Sequence, residues 1–326
     1  MSSDSERIAI VIPLFNDWDC LGRLLADIGG LPVEGRTFSI FVVDDCSMVP
    51  APEIMGHLPP SVEQLECIRL RSNVGHQRSA AIGLSIVAER TGYDAVIVMD
   101  ADGEDRPSDI PNLLAAHAAN PLSLIVAQRQ KRSEPAGFKV MYQLFKALFR
   151  ILTGRTIDFG NFCLIPFCHL DRLIFMRELW SHLGATLLKS RLPLVRVPTA
   201  RGTRYKGKSS MSLPSLIIHG FSAIAVFMDA VFVRLIMLCI ALMTLAAAGG
   251  IAAATIRVLT SIAIPGWATN VVGVSAIIAF QALTLLTIAA IMMLASNSSV
   301  PSVPGRDGRL LVGSCRLLAS HRPSSA

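Results

Sequence analysis

Two uninterrupted apolar runs constrain this chain more than any other feature. Residues 235–256 hold 22 positions without a charge, bracketed by Arg234 and Arg257, and residues 271–295 form a second uncharged run of 25. As a helix the first run reaches about 33 Å, enough to cross the hydrocarbon core of a bilayer. The short connection between them contains Pro265, Gly266 and Trp267. It reads as the turn of a hairpin, with Trp267 at an interface. Two buried helices of a soluble protein are the competing reading, which the length of both runs disfavours. Residues 211–233 are also apolar but carry Pro214, His219, Gly220 and Asp229. They read as one or two amphipathic helices lying at the membrane interface. A third span is the alternative, and it would invert the hairpin.

The net charge of +6 hides a split. Residues 1–125 carry eight arginines, no lysine and 18 acids, a net −10, whereas residues 126–210 reach +12. An acidic first part suits a metal-binding carboxylate site. A basic stretch just before apolar helices suits lipid headgroups or phosphates. Nucleic acid is not expected, because the cations are not interleaved with stacking aromatics and aromatics make up only 6% of the chain. Basic residues flank the runs at Arg201, Arg204, Lys206, Lys208 and Arg234 before, and at Arg306, Arg309, Arg316 and Arg322 after, with Arg257 alone between. The positive-inside rule then puts both ends in the cytoplasm. Residues 8–12 are too short for a secretory h-region. The expected location is therefore the inner (cytoplasmic) membrane, multi-pass, with the N-terminal domain cytosolic. The seven cysteines are scattered, which excludes a disulfide scaffold, and Cys163, Cys168 and His169 lack a second ligand pair at zinc spacing.

Residues 1–210 read as alternating strands and helices. Strands are expected over 8–14, 38–43, 65–70, 95–99 and 123–127, and helices over 17–28, 75–90 and 108–119. Unbroken Val/Ile runs mean strands covered on both faces, and β–α alternation means a largely parallel sheet. Ligands of such sheets bind at the carboxyl ends of the strands. Asp44-Asp45, Asp100-Ala101-Asp102 and Gln128-Arg129 all stand there. Asp100, Asp102, Glu104 and Asp105 place four carboxylates in six residues, a repulsive cluster unless a cation neutralises it. Oxygen donors suit Mg²⁺ or Mn²⁺, which also bind substrate phosphates. The bland reading is an acidic turn capping the next helix, a role suited to Asp105 and Asp109. A G-x-G-x-x-G fingerprint and a Walker A loop are both missing, so NAD, FAD and P-loop chemistry are not expected. Asn73-Val74-Gly75 opens a helix and could present N–H groups to an anion. His76 reads as a surface histidine within reach of phosphate. The segment from 297 to 326, rich in Ser, Pro, Gly and Arg, reads as a flexible basic tail.

Six motifs in order resemble the family-2 glycosyltransferases of GT-A fold, in the branch of polyprenyl-phosphate glycosyltransferases related to dolichol-phosphate-mannose synthase. They are Val11-Ile12-Pro13-Leu14-Phe15-Asn16-Asp17, Val43-Asp44-Asp45-Cys46-Ser47, Asn73-Val74-Gly75 with Ala80 and Gly83, Met99-Asp100-Ala101-Asp102 with Asp105 and Pro107, Asp158-Phe159-Gly160-Asn161-Phe162, and Arg201-x-x-Arg204-x-x-Gly207-Lys208-Ser209. The resemblance covers about residues 7–235, and the hairpin in outline. It implies a cytosolic GT-A domain over 1–210 with a Rossmann-like, mostly parallel sheet flanked by helices, interfacial helices over 211–233, and the transmembrane pair within 234–296. It further implies that Pro13, Phe15, Asp17 and Asp44 line the base and ribose, with Asp45 supporting that pocket. Asp100, Asp102 and Glu104 would hold the metal and diphosphate. Arg129 and Arg132 would meet the acceptor phosphate, and Arg201, Arg204 and Lys208 would clamp the donor phosphate or the acceptor. Asp158 would sit near the sugar. Asp102, Asp158, Arg129 and Arg204 form the expected catalytic set. The chain departs from the family pattern with Asp17 for Glu, Phe15 for Tyr and Glu104 for Gln. Members of this branch can assemble through their membrane helices, so a homo-oligomer is an expectation.

The implied reaction is inverting, metal-dependent transfer of a sugar from a nucleotide-diphosphate donor to a polyprenyl phosphate such as undecaprenyl or dolichyl phosphate. An anionic acceptor needs no general base, in keeping with a chain rich in Arg and poor in His–carboxylate pairs. Three readings compete. A lipid-hydroxyl acceptor would need a base, with Asp158 the candidate. A non-catalytic nucleotide-sugar-binding membrane protein is disfavoured by the intact Asp100-x-Asp102 pair. A processive polysaccharide synthase would carry a Gln-x-x-Arg-Trp motif, which is missing.

Overall fold

The computed structural model of the chain describes residues 6–33, 35–49, 51, 58–129, 136–206, 213–260, 266–298 and 301–321. Two compact units are present. One comprises Met1–Lys146, Thr156–Val226 and Ser302–Ala326; the other comprises Ala147–Arg155 and Phe227–Pro301.

The first unit is built on an eight-stranded sheet: β1 (Glu6–Leu14), β2 (Arg36–Asp44), β3 (Val62–Leu70), β4 (Ala95–Val98), β5 (Leu124–Arg129), β6 (Cys163–Pro166), β7 (Leu194–Thr199) and β8 (Val312–Ser320), in the order β7-β5-β6-β4-β1-β2-β3-β8. Strands β4, β1, β2 and β3 run parallel, as the unbroken apolar runs require. Their alternate side chains feed two cores. Ile8, Ile10, Ile12, Phe38, Ile40 and Val42 pack beneath helix α1 (Trp18–Gly29), whose Leu21, Leu24, Leu25 and Ile28 form its buried face. Ala9, Val11, Phe41 and Val43 pack on the opposite side with helix α2 (His76–Ala88). The remaining helices of the chain as a whole are α3 (Ile110–Ala119), α4 (Ala136–Thr153), α5 (Leu170–Ile174), α6 (Leu183–Lys189), α7 (Leu213–Ala225), α10 (Pro304–Asp307) and, in the second unit, α8 (Met228–Leu259) and α9 (Trp267–Ser298). The expected α/β architecture, a mostly parallel sheet flanked by helices, is borne out. It departs from pure parallel order at β8, antiparallel to β3, and at β6, which lies antiparallel between β4 and β5. With β6 reversed, β5 runs the same way as β4, and their carboxyl ends share one edge of the sheet.

The expected flexible basic tail is corrected over most of its length. Residues 312–320 form β8, antiparallel to β3. Without it β3 would expose an unpaired row of N–H and C=O groups. Arg71 secures the junction, its N–H donating to Leu311 O at 2.9 Å and its Nε to Val312 O at 3.0 Å. Low-complexity residues dominate the composition there, but Leu318 and Ala319 supply the apolar positions that pack on the core. Residues 322–326 lie outside the described residues.

In the second unit α8 and α9 are 32 residues each and pack along one another. Both are long and apolar enough to cross a membrane. Large apolar side chains stand exposed along them, among them Leu245, Ile251, Phe280 and Ile291. The helices extend past the expected 235–256 and 271–295, and α8 takes in residues 228–233, which sequence placed with the interfacial segment. Arg234, at the edge of the apolar run, donates to the carbonyls of Arg150 and Ile151 at the end of α4, where the helix dipole favours a cation.

Candidate active site

The carboxyl ends of β1, β2 and β3 form the first part of the site. Pro13 is buried in β1 opposite Val43. Phe15 beyond it is 48% exposed, and Asp17 is half-buried. The loops after β1 and β2 are sewn together by Asn16, which adopts φ +56°. Its N–H donates to Ser47 Oγ at 2.8 Å, and its Oδ1 accepts the Met48 N–H at 2.8 Å. Asp44 is buried, accepts the Ser47 N–H at 2.8 Å, and faces Arg69 Nε at 3.8 Å. Asp45 takes the Val74 N–H at 2.8 Å and the Gly75 N–H at 2.9 Å. Burial raises its pKa, opposed by those two N–H groups. The Asn73-Val74-Gly75 turn thus offers two of its N–H groups to a carboxylate of the protein, not to an external anion.

The acidic loop after β4 is held differently. Asp102 Oδ2 meets Arg204 Nη2 at 2.5 Å and Nε at 3.1 Å. Glu104 is gripped by Arg201 at 2.7 Å. Asp100 Oδ1 lies 3.1 Å from His76 Nε2. Burial pulls the His76 pKa down, but Asp100, with Asp105 and Asp102 behind it, more than offsets this and leaves it at about 8. Asp105 is buried and accepts the Asp100 N–H at 3.1 Å, so it shapes the turn.

The segment carrying the two arginines lies directly on this loop. Gly202 N–H donates to Glu104 O and Tyr205 N–H to Asp102 O, both at 2.9 Å. Two glycines permit the approach. A Cβ on Gly202 would stand 2.1 Å from Gly103 O, and one on Gly103, itself at φ +84°, would stand 2.6 Å from the Tyr205 ring. Tyr205 continues to Asp27 of α1 through its hydroxyl, and Lys206 reaches Asp19. These anchors on α1 explain how residues about 100 positions apart meet.

Asp158 lies at the end of β5, where Gln128 Nε2 donates to it at 2.6 Å and Arg196 Nε at 3.1 Å. Arg129 is paired to Thr199 through the β5–β7 ladder. Arg132 and Lys208 lie outside the described residues. Nearby, His182 caps α6 by accepting the Ala185 N–H at its Nδ1, and stacks on His219 of α7 with ring centroids 4.5 Å apart. Burial first, then His219, pushes the His182 pKa down to about 3.

The expected three-carboxylate metal set of Asp100, Asp102 and Glu104 is not assembled. Among the described residues no group of three His, Cys, Asp or Glu is placed to hold a metal ion. Each carboxylate meets a base from another element: Asp100 meets His76, Asp102 meets Arg204 and Glu104 meets Arg201. A hard cation that takes one or two carboxylates and completes its shell from phosphate and water is the kind that Asp100 and Asp102 would hold, with Asp102 giving up Arg204. Sequence reasoning passed over Tyr205 and Gln77 and left His76 as a surface residue. The signal available was adjacency: Tyr205 follows Arg204, and His76-Gln77 follows the Gly75 turn.

The family model for glycosyl transferase family 2 matches residues 9–184. The chain is 24% identical over 216 residues to an undecaprenyl-phosphate 4-deoxy-4-formamido-L-arabinose transferase of Klebsiella pneumoniae, covering 65% of this chain and 64% of that one. It is 24% identical over 218 residues to the protein of that name from Sodalis glossinidius, covering 65% of each. The aligned region thus spans a little under two thirds of these relatives. Among solved structures, the glucosyl-3-phosphoglycerate synthase of Mycobacterium tuberculosis, in complex with Mn²⁺, uridine-diphosphate-glucose and phosphoglyceric acid, matches with a TM-score of 0.49 at 14% identity, over 69% of this chain and 80% of that one.

Proposed function

Since the chain belongs to glycosyl transferase family 2, we propose that it transfers a sugar from a nucleotide-diphosphate donor to a polyprenyl phosphate at the cytosolic face of the inner membrane, with inversion at the anomeric carbon. The observation that carries this reading is the meeting of carboxylates and guanidinium groups at the β4 end. Asp102 under Arg204 and Glu104 under Arg201 are charge pairs between side chains, so each half has a use when the other is taken. A divalent ion, Mg²⁺ or Mn²⁺, held by Asp100 and Asp102 would supply charge stabilisation to the leaving diphosphate. Arg204 and Arg201, released from their carboxylates, are then placed to bind phosphate oxygens, for which the guanidinium fork is suited.

In this reading Pro13, Phe15, Asp17 and Asp44 border the base and ribose, and Asp45 holds the turn beside them. A polyprenyl phosphate oxygen attacks the anomeric carbon. The new carbon–oxygen bond forms as the bond to the donor phosphate breaks, and its electron pair leaves with the nucleoside diphosphate. No proton has to be removed, so the enzyme's work is positioning and charge stabilisation. Both Asp158 oxygens already accept hydrogen bonds, from Gln128 and Arg196, which supports a phosphate acceptor over a hydroxyl that would need Asp158 as base. Arg129 and Arg132 are assigned to the acceptor phosphate and Lys208 to the clamp from the sequence resemblance. The two candidate spans and the arginines flanking them support membrane attachment with the domain in the cytosol.

The test uses the detergent-purified chain with labelled nucleotide sugars, undecaprenyl phosphate and Mn²⁺. An acid-labile glycolipid formed by the wild type and lost in Asp102→Asn is the expected product. An acid-stable glycolipid would point to a hydroxyl acceptor, and binding of donor without turnover to a non-catalytic protein.

A further inference from the structure

One hydrogen-bonded chain in the first unit has a direction that can be read from a backbone group as far as Asn161. It starts at a backbone group. The Leu183 N–H donates to Gln77 Oε1 at 2.8 Å. A backbone N–H cannot act as an acceptor, so the Gln77 carboxamide is oriented, and its Nε2 donates to Asn161 Oδ1 at 3.1 Å. The Asn161 carboxamide is oriented in turn, and its Nδ2 faces His76 Nε2 at 3.0 Å. The same ring nitrogen faces Asp100 Oδ1 at 3.1 Å.

His76 Nε2 therefore stands between a donor and an acceptor. It can accept from Asn161 or donate to Asp100, but one ring nitrogen cannot do both at once. Asp102 and Glu104 take arginines, whose five N–H groups all donate. His76 couples its carboxylate to a polar network tied to two distinct elements: the start of α6 through Leu183, and the loop before β6 through Asn161.

We propose that His76 is a positioning residue for Asp100: the Leu183–Gln77–Asn161 chain aims a donor at Nε2 that competes with Asp100 for that nitrogen, and the resulting placement of the ring sets where the Asp100 carboxylate points. This rests on the reading of Asp100 as a donor-site carboxylate. It adds a residue whose effect runs through Asp100 and not through contact with substrate. Groups that orient a ligating carboxylate commonly change cation affinity by about 10- to 100-fold when removed. A glutamine at 76 would present one donor and one acceptor near the position of Nε2, serving Asp100 and Asn161 together. A leucine would serve neither.

Two measurements on the full chain in detergent decide the matter. The first is the ¹⁵N spectrum of histidine-labelled protein, with His76 assigned by its disappearance in His76→Gln. Asp100→Asn and Asn161→Leu should each move the His76 ring-nitrogen shift, and a resonance indifferent to both overturns the proposal. The second is Mn²⁺ binding followed by electron paramagnetic resonance. His76→Leu should weaken it about 10- to 100-fold with an unchanged melting temperature, and His76→Gln should stay within about threefold of wild type. Equal Mn²⁺ affinity in wild type and a folded His76→Leu overturns the proposal. A wild-type chain that holds no Mn²⁺ would instead sink the donor-site reading, and the ring-nitrogen shifts would still decide the placement of His76.

Discussion

Two acidic strand ends lie on the same edge of the sheet and differ in what holds them most closely, although Arg69 also faces Asp44 at 3.8 Å and Asp102 also accepts the Glu104 N–H. After β2, Asp44 and Asp45 are buried and take backbone N–H groups from Ser47, Val74 and Gly75. After β4, Asp100, Asp102 and Glu104 take side-chain bases from His76, Arg204 and Arg201. Backbone donors cannot leave without unmaking the turns that carry them. Side-chain cations can swing away and be replaced by another cation. The first end is thus held as architecture, and the second is the exchangeable site of the proposed function.

This contrast breaks most readily at Asp102. Asp102→Asn should cost about a thousandfold or more in kcat with little change in melting temperature, because it removes charge from the exchangeable end. A large drop in melting temperature instead would make Asp102 a structural residue like Asp45. Arg204→Gln should come next, with turnover down about 100-fold. Its effect on stability should stay under about 1 kcal/mol, since the pair is not fully buried. Chemical denaturation alongside the kinetics would reveal any larger structural role.

Asp45→Ala tests the other side of the comparison. It leaves the Val74 and Gly75 N–H groups without their carboxylate, for an expected loss of about 1–3 kcal/mol. Thermal melting should show the loss even in the absence of donor. An unaffected melting temperature would mean the β2 end is no more architectural than the β4 end. The smallest expected effect concerns His182, a built-in neutral group near the site, faced by His219 of α7 and, at longer range, by His76 of α2. Its folded pKa is depressed to about 3 from an ordinary 6.5. The unfolded chain therefore binds the proton first, and the stabilisation present above pH 6.5 is lost as pH falls from there toward 3. The slope attributable to it is at most about 1.4 kcal/mol per pH unit. Melting curves of the wild type and His182→Asn between pH 7 and 5 should converge toward acid; parallel curves would remove His182 from the account.

Much of the first unit was legible in the chain because its signals are local. Ile8, Ile10 and Ile12 alternate with Ala9 and Val11 in a run apolar on both faces, which is what a central parallel strand needs, and β1 forms there. Leu21, Leu24, Leu25 and Ile28 repeat at helical spacing, and α1 buries them. Asp44-Asp45 and Asp100-Ala101-Asp102 follow apolar runs, which placed them at strand ends. The strands β6 and β7 were not anticipated. Cys163–Pro166 is four residues long, and Leu194–Thr199 carries Arg196 and Pro198, so neither has enough period to announce itself.

What the chain determined by itself is the set of segments that must be buried, in sheet or in bilayer, and the positions where acids interrupt them, because burial and strand geometry act between near neighbours. What only the tertiary structure decided is who neutralises each acid and where the last strand goes. Arg204 reaches Asp102 across 102 positions, Arg201 reaches Glu104 across 97, and β8 closes an edge laid down by β3 some 250 residues earlier. Such pairings satisfy charge and hydrogen-bonding capacity left over after the local elements form, and that remainder exists only once the elements have been brought together.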